Sequence, residues 1–128
     1  MPDVVLDTTV FIDAYNQQPA AVAILEHVAR RRLDAGFSPV TVYELWLKPM
    51  DRDEESFYTS LLDIVEELPF TRNAARQVGI WLRATTRQQR STLAADAMIA
   101  ATAASLGATI ITRNPRDFTR FYSDVQSY

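Results

Sequence analysis

The chain has 128 residues, 48% of them apolar, with no cysteine, a single histidine and a net charge of −3. That length can bury a core within one domain, and the composition excludes disulfides, thiolate metal sites, cysteine nucleophiles and multi-histidine centres. The charge is unevenly divided: residues 1–67 carry five Lys/Arg against thirteen Asp/Glu, and residues 68–128 carry eight Arg against three Asp. An acidic whole therefore has a basic C-terminal half that can face phosphates, although scattered arginines also serve simply as solvated helix surface. Any metal would be held by oxygen, which points to a hard cation such as Mg²⁺ or Mn²⁺. Met1-Pro2-Asp3 lacks a basic region ahead of an apolar one, and no apolar stretch reaches bilayer length. A cytoplasmic protein with no membrane segment is expected.

Val4 to Leu6 reads as a strand buried on both faces, ending at Asp7-Thr8-Thr9. Asp7 is thus delivered to a sheet rim, where ligands bind in open α/β folds, or it caps the next helix. That helix is expected over about Val10 to Tyr15. Pro19 suits the first turn of another, with Val22, Leu25, Ala29 and Leu33 at helical spacing and Gly36 as its stop. Phe37 and Ser38 suggest a very short strand, and Ser38-Pro39 opens a helix over about Val40 to Leu47. Glu44 lies inside that helix among Val40, Val42, Leu45 and Leu47, unusual company for a solvated glutamate.

Asp51 to Glu55 is an acidic helix start that suits the positive end of the dipole. The helix behind it shows Phe57, Leu61 and Ile64 on one face. Val65 to Leu68 predicts a strand. Thr71 caps a helix with Ala75, Val78, Gly79 and Leu82 on its apolar face. Residues 87–92 read as an exposed connection. Leu93 to Leu106 is apolar nearly all round, the mark of a buried helix, with Asp96 as its only charge. So placed, Asp96 lies near the helix N-terminus, where the dipole favours an anion. Gly107 ends the helix, residues 108–112 form a second buried strand, and residues 123–128 add an edge strand. Strands alternating with helices predict one α/β domain over residues 1–128, with a mostly parallel sheet covered on both faces.

Asp7, Glu44 and Asp96 are the three acids that fit poorly as solvated residues. At the second strand's rim, Asn114 is a neutral oxygen ligand or hydrogen-bond partner, and Asp117 is either a fourth acid or a turn cap. Asp13, Asp34, Asp63 and Asp124 read as surface. Trp46 and Trp81 are core residues or platforms for base stacking.

With these residues in view, the chain resembles PIN-domain ribonucleases, and the VapC-type toxins of toxin–antitoxin pairs in particular. The matching stretches are Leu6-Asp7-Thr8-Thr9-Val10 with Phe11-Ile12, Ser38 through Glu44-Leu45, Ala95-Asp96-Ala97-Met98-Ile99-Ala100-Ala101-Thr102-Ala103, and Ile111-Thr112-Arg113-Asn114-Pro115-Arg116-Asp117-Phe118. They follow the family's order and span nearly the whole chain. The resemblance implies a three-layer α/β/α sandwich around a mostly parallel sheet. It also implies RNA cleavage with Mg²⁺ or Mn²⁺, a homodimer, and a cognate antitoxin that blocks the site. Carried over residue by residue, Asp7 and Asp96 match the principal metal-binding aspartates, and Glu44 the acid of the third helix. Thr8 matches the hydroxyl that supports the first aspartate. Asn114 stands where many members have an acid, with Asp117 three residues on. Arg113 and Arg116, with Arg83, Arg87 and Arg90, are candidates to hold RNA phosphates. Two rival readings are an Asp-based phosphatase with Asp7 as nucleophile, disfavoured by Thr9 where a second Asp is usual, and a non-catalytic module that binds RNA or a partner.

Overall fold

The apolar run Val4–Leu6 becomes the centre of a sheet, as a strand with no polar side chain must. The computed structural model describes residues 1–128. Its five strands are β1 (Val4–Leu6), β2 (Ala35–Phe37), β3 (Glu66–Glu67), β4 (Thr109–Ile111) and β5 (Val125–Gln126). They lie in the order β3-β2-β1-β4-β5, and every pairing is parallel. Val4 stands opposite both Ala35 and Thr109, and Leu6 opposite Ile111. The inner strands are buried and the edge strands short, which limits the unpaired backbone offered to another chain.

Side chains alternate across a strand, and the core divides accordingly. Val4 and Leu6 join Phe11, Leu25, Leu45 and Tyr58 in one cluster. This is the face covered by α1 (Thr8–Tyr15), α2 (Pro19–Ala29), α3 (Pro39–Leu47) and α4 (Arg52–Ile64). Val5 points the other way, with Ile110, Ile99, Ala103 and Phe118. That face is covered by α6 (Arg87–Leu106) and α7 (Arg116–Thr119), with α5 (Arg72–Arg83) packed against α6 through Ala74, Val78, Ala97 and Ala101. The result is the expected α/β/α sandwich. No helix is long and apolar enough to cross a membrane.

Three expectations require correction. Gly36 does not stop a helix. α2 ends at Ala29, with Arg30 as its cap and Arg31 at φ 57°, and Gly36 lies within β2. The glycine is there because the Leu68 side chain crosses it: a Cβ at Gly36 would sit 2.6 Å from Leu68 Cδ1. Gly36→Ala is therefore expected to lower stability by about 1–3 kcal/mol, the usual penalty of overpacking. Thermal denaturation checks this, and an unchanged midpoint would show that Leu68 can swing aside.

The second correction is residues 87–92, which are helix rather than connection. α6 runs for 20 residues from Arg87, and Asp96 lies in its middle, out of reach of the N-terminal dipole. Third, Asp13 is no surface residue: it is 5% exposed. Tyr58, absent from the expected face of α4, is its only fully buried side chain, and its hydroxyl is the one buried side-chain polar atom without a partner.

Candidate active site

The carboxyl ends of β1 and β4 reach the same rim side by side, since the Asp7 N–H donates to the Ile111 carbonyl at 3.0 Å. Asp7 is thereby 5% exposed and next to Thr112. Its Oδ2 accepts from Thr9 Oγ1 and from Thr112 Oγ1, each at 2.8 Å. The capping contact from the Thr9 N–H is longer, at 3.4 Å. Asp7 is thus the N-cap of α1, but the two hydroxyls hold it more closely than the helix does. All three bonds fall on Oδ2, which leaves Oδ1 with lone pairs to spare. Burial pushes the Asp7 carboxyl above the usual aspartate range, and the hydroxyl and backbone bonds oppose that shift.

Glu44 comes from α3, which Ser38 caps through the Val40 N–H at 3.1 Å. It is half-buried, and its Oε1 accepts from Thr8 Oγ1 at 2.6 Å. Having given its one proton to Glu44, Thr8 accepts from Thr41 Oγ1 at 3.0 Å. Thr8 therefore supports Glu44, and the support of Asp7 expected from Thr8 is supplied by Thr9 and Thr112. Burial raises the Glu44 carboxyl; the Thr8 bond counters this and the charge of Asp7 adds to it.

Asp96 faces the same rim from α6. Its carboxyl is pushed up to about 7, first by burial, then by the charges of Asp7, Asp117 and Glu44, with Arg120 opposing. With the dipole out of reach, a helix-capping role no longer accounts for this acid. Asp117, in the first turn of α7, is exposed and makes no capping bond, so of its two readings the turn cap fails. Asn114 is exposed, and its backbone N–H donates to Thr112 Oγ1 at 3.0 Å. Asp96 thus lies within electrostatic range of Asp7, Asp117 and Glu44, and Glu44 within range of Asp7. No three of them form a ready-made metal cage. An all-oxygen set in which neighbouring charges raise the Asp96 and Glu44 carboxyls suits a hard divalent cation, which supplies the missing positive charge. Mg²⁺ typically keeps several waters and takes one or two protein carboxylates, and Asp7 and Asp96 are the acids here that could hold it.

An open groove of about 750 Å³ runs beside Glu44, lined by Val40, Tyr43, Leu47, Phe70 and Met98 among others. Arg116, Arg83, Arg87 and Arg90 are exposed, whereas Arg113 is paired with Asp13. The tryptophans are packed on protein rings: Trp81 stacks on Phe121 at 5.4 Å, and Trp46 lies against Tyr58 at 6.4 Å. Sequence reasoning missed the roles of Thr9, Thr41, Thr112 and Arg120. Hydroxyls beside two strand ends were a visible signal for Thr9 and Thr112, but nothing local marks Thr41 or Arg120.

Carboxylates gathered at the strand ends of a parallel α/β/α sandwich define an acidic-rim α/β protein. The chain belongs to the PIN domain family, whose model matches residues 4–123. Among solved structures, it superposes with a TM-score of 0.68 on FitAcB from Neisseria gonorrhoeae, at 26% identity over 98% of this chain and 96% of that one. VapBC-5 from Mycobacterium tuberculosis, a member of the VapBC family of toxin–antitoxin systems, matches at 26% identity and TM-score 0.59, over 98% of each chain. VapBC2 from Rickettsia felis, bound to a DNA fragment from its promoter, shares the fold at TM-score 0.73 and 20% identity, over 98% of each chain. No curated protein matches the sequence.

Proposed function

We propose that this PIN-domain protein is a Mg²⁺- or Mn²⁺-dependent endoribonuclease and the toxin of a toxin–antitoxin pair, with residues 1–128 working as one cytoplasmic domain. The observation that carries the proposal is Asp96, an acid in mid-helix held up near pH 7 by burial and by three other carboxylates. A bound divalent cation would lower the pKa of a coordinated water and offset charge building on a phosphodiester. Asp7, through Oδ1, and Asp96 are the residues to hold it. Thr9 and Thr112 fix Asp7 by occupying Oδ2. Thr8 fixes Glu44, which together with Asp117 and Asn114 is placed to orient a water or the substrate. No side chain at the rim is a convincing nucleophile, so direct hydrolysis, leaving a 5′-phosphate and a 3′-hydroxyl, is favoured over a covalent enzyme intermediate. Exposed Arg120, whose charge acts on Asp96, and Arg116, beside Asp117 in α7, are suited to RNA phosphates. A recessed acidic site fits single-stranded or looped RNA better than duplex.

The likeness to VapBC and FitAB structures supports an antitoxin partner, and the same reading includes a homodimer. The alternative is a non-catalytic PIN-like module that binds RNA or a partner. Expression with and without the neighbouring gene, followed by mapping of RNA 5′ ends, separates the two. Growth arrest with discrete new 5′ ends, relieved by the neighbour, is expected of the toxin. Arrest without any new ends would favour the binding module.

A further inference from the structure

Asp13 is as buried as Asp7, and the proposed mechanism makes no use of it. A buried carboxylate is costly unless it is paired and hydrogen-bonded, and here both oxygens are engaged. Oδ1 receives the Arg113 guanidinium, and Oδ2 accepts the Tyr128 hydroxyl at 2.7 Å. The two partners are 100 and 115 residues away in sequence, so the contacts join α1 to the rim after β4 and to the segment after β5.

Arg113 is the pivot of this group. Its side chain reaches Asp13, while its backbone N–H donates to Thr9 Oγ1 at 3.1 Å. Thr9 in turn donates its hydroxyl hydrogen bond to Asp7 Oδ2. Thr112, one residue earlier, donates to the same oxygen and accepts from the Asn114 N–H. The two hydroxyls that set the orientation of Asp7 are therefore held by the segment that Asp13 anchors. Arg113, half-exposed but already paired, is a poor choice for an RNA phosphate.

We propose that Asp13, Arg113 and Tyr128 form a positioning clamp that holds residues 112–114 against Asp7, keeping Thr9 and Thr112 on Oδ2 and Oδ1 turned towards a divalent cation. This inference rests on the reading of Asp7 as a metal ligand. The three are positioning residues: none needs to touch metal or substrate. Outer hydrogen-bond partners of this kind commonly change metal affinity by about 10- to 100-fold when they are removed. A group that merely tied the chain together would change the melting temperature and leave metal affinity, measured well below melting, as it was.

The test is a Mn²⁺ titration followed by electron paramagnetic resonance, with melting temperatures in chelator, on the full chain and on Asp13→Asn, Tyr128→Phe and Asp7→Asn. The expected result is a Kd for Mn²⁺ raised about 10-fold or more by Asp13→Asn. Tyr128→Phe, which keeps the ring and loses only the hydroxyl, shifts Kd in the same direction by less. Should Asp13→Asn fail to fold, Tyr128→Phe decides alone. Wild-type Kd in the folded clamp variants, whatever their melting temperatures, overturns the clamp while leaving the metal site standing. Wild-type protein with no saturable Mn²⁺ binding, or with binding that Asp7→Asn retains, overturns the metal reading of Asp7 and the clamp with it.

Discussion

Replacing Asp96 by asparagine is expected to reduce RNA cleavage by about 1,000-fold and to leave the fold intact. Metal-ion stabilisation of a phosphodiester transition state contributes several kcal/mol, and each ~1.4 kcal/mol is a factor of ten in rate. Asparagine keeps the size of the side chain and one carbonyl oxygen but removes the charge that a divalent cation needs. Asp96 lies next to Ala97 and one turn from Ala100 on a helix whose buried residues are, Ile99 apart, small, so the nearly isosteric change disturbs little packing. Single-turnover cleavage of a labelled RNA by wild-type and variant protein, alongside circular dichroism, measures both halves of the expectation. A variant within about 3-fold of wild type would remove Asp96 from the mechanism, since about 1,000-fold is expected for the loss of a metal ligand.

The same carboxyl makes the metal-free protein less stable as pH rises. In the folded chain Asp96 holds its proton up to about pH 7, whereas the unperturbed aspartate value is 3.8. Between those two values the folded state binds more protons than the unfolded one, so stability falls as pH increases and levels off above about 7. Burial raises Asp7 and Glu44 as well, which acts in the same direction. Asp96 is partly exposed, so solvent screening reduces its share to about 1–2 kcal/mol. In chelator, the melting temperature is expected to drop from pH 5 to pH 8, and Asp96→Asn to flatten the drop and to be the more stable protein at pH 8. Mn²⁺ binds the ionised acids and should restore the wild-type melting temperature at pH 8. Parallel pH profiles for wild type and Asp96→Asn would show that this carboxyl is not perturbed by its neighbours. A fall in stability that Asp96→Asn flattens would mark the site as a place where stability is given up for charge density.

How much of this was legible in the residues differs from element to element. Val4–Leu6 and Thr109–Ile111 announced the two central strands because a short apolar run bounded by polar residues has few other uses. The helix starts at Ser38-Pro39, Asp51 and Thr71 were each where expected, and at each of them a side-chain oxygen accepts from one of the helix's free N–H groups. The start of α6 was hidden. Thr86 makes no side-chain capping bond, residues 87–92 are exposed and polar all round, and Ser91-Thr92 imitates a cap. Asp96 lost its dipole explanation with that boundary, and its place beside the other acids became the stronger reason for an acid at that position. Gly36 was misread because a glycine that ends a helix and one that lets a side chain cross a strand look identical in sequence. The acids of the rim were individually visible as carboxylates in apolar company. Their supports were not: Thr112 meets Asp7 across 105 positions, and Tyr128 meets Asp13 across 115, pairings that only the sheet order creates.

The central claim is that the Asp7–Asp96 rim hydrolyses RNA with a divalent cation. The most direct test incubates purified protein with a mixed-sequence single-stranded RNA and Mn²⁺, with a chelator control and an Asp7→Asn control, and reads the product ends. The account predicts discrete fragments bearing 5′-phosphates, lost on chelation and lost with Asp7→Asn. Intact RNA with Mn²⁺ present, or cleavage that survives both controls, would contradict it.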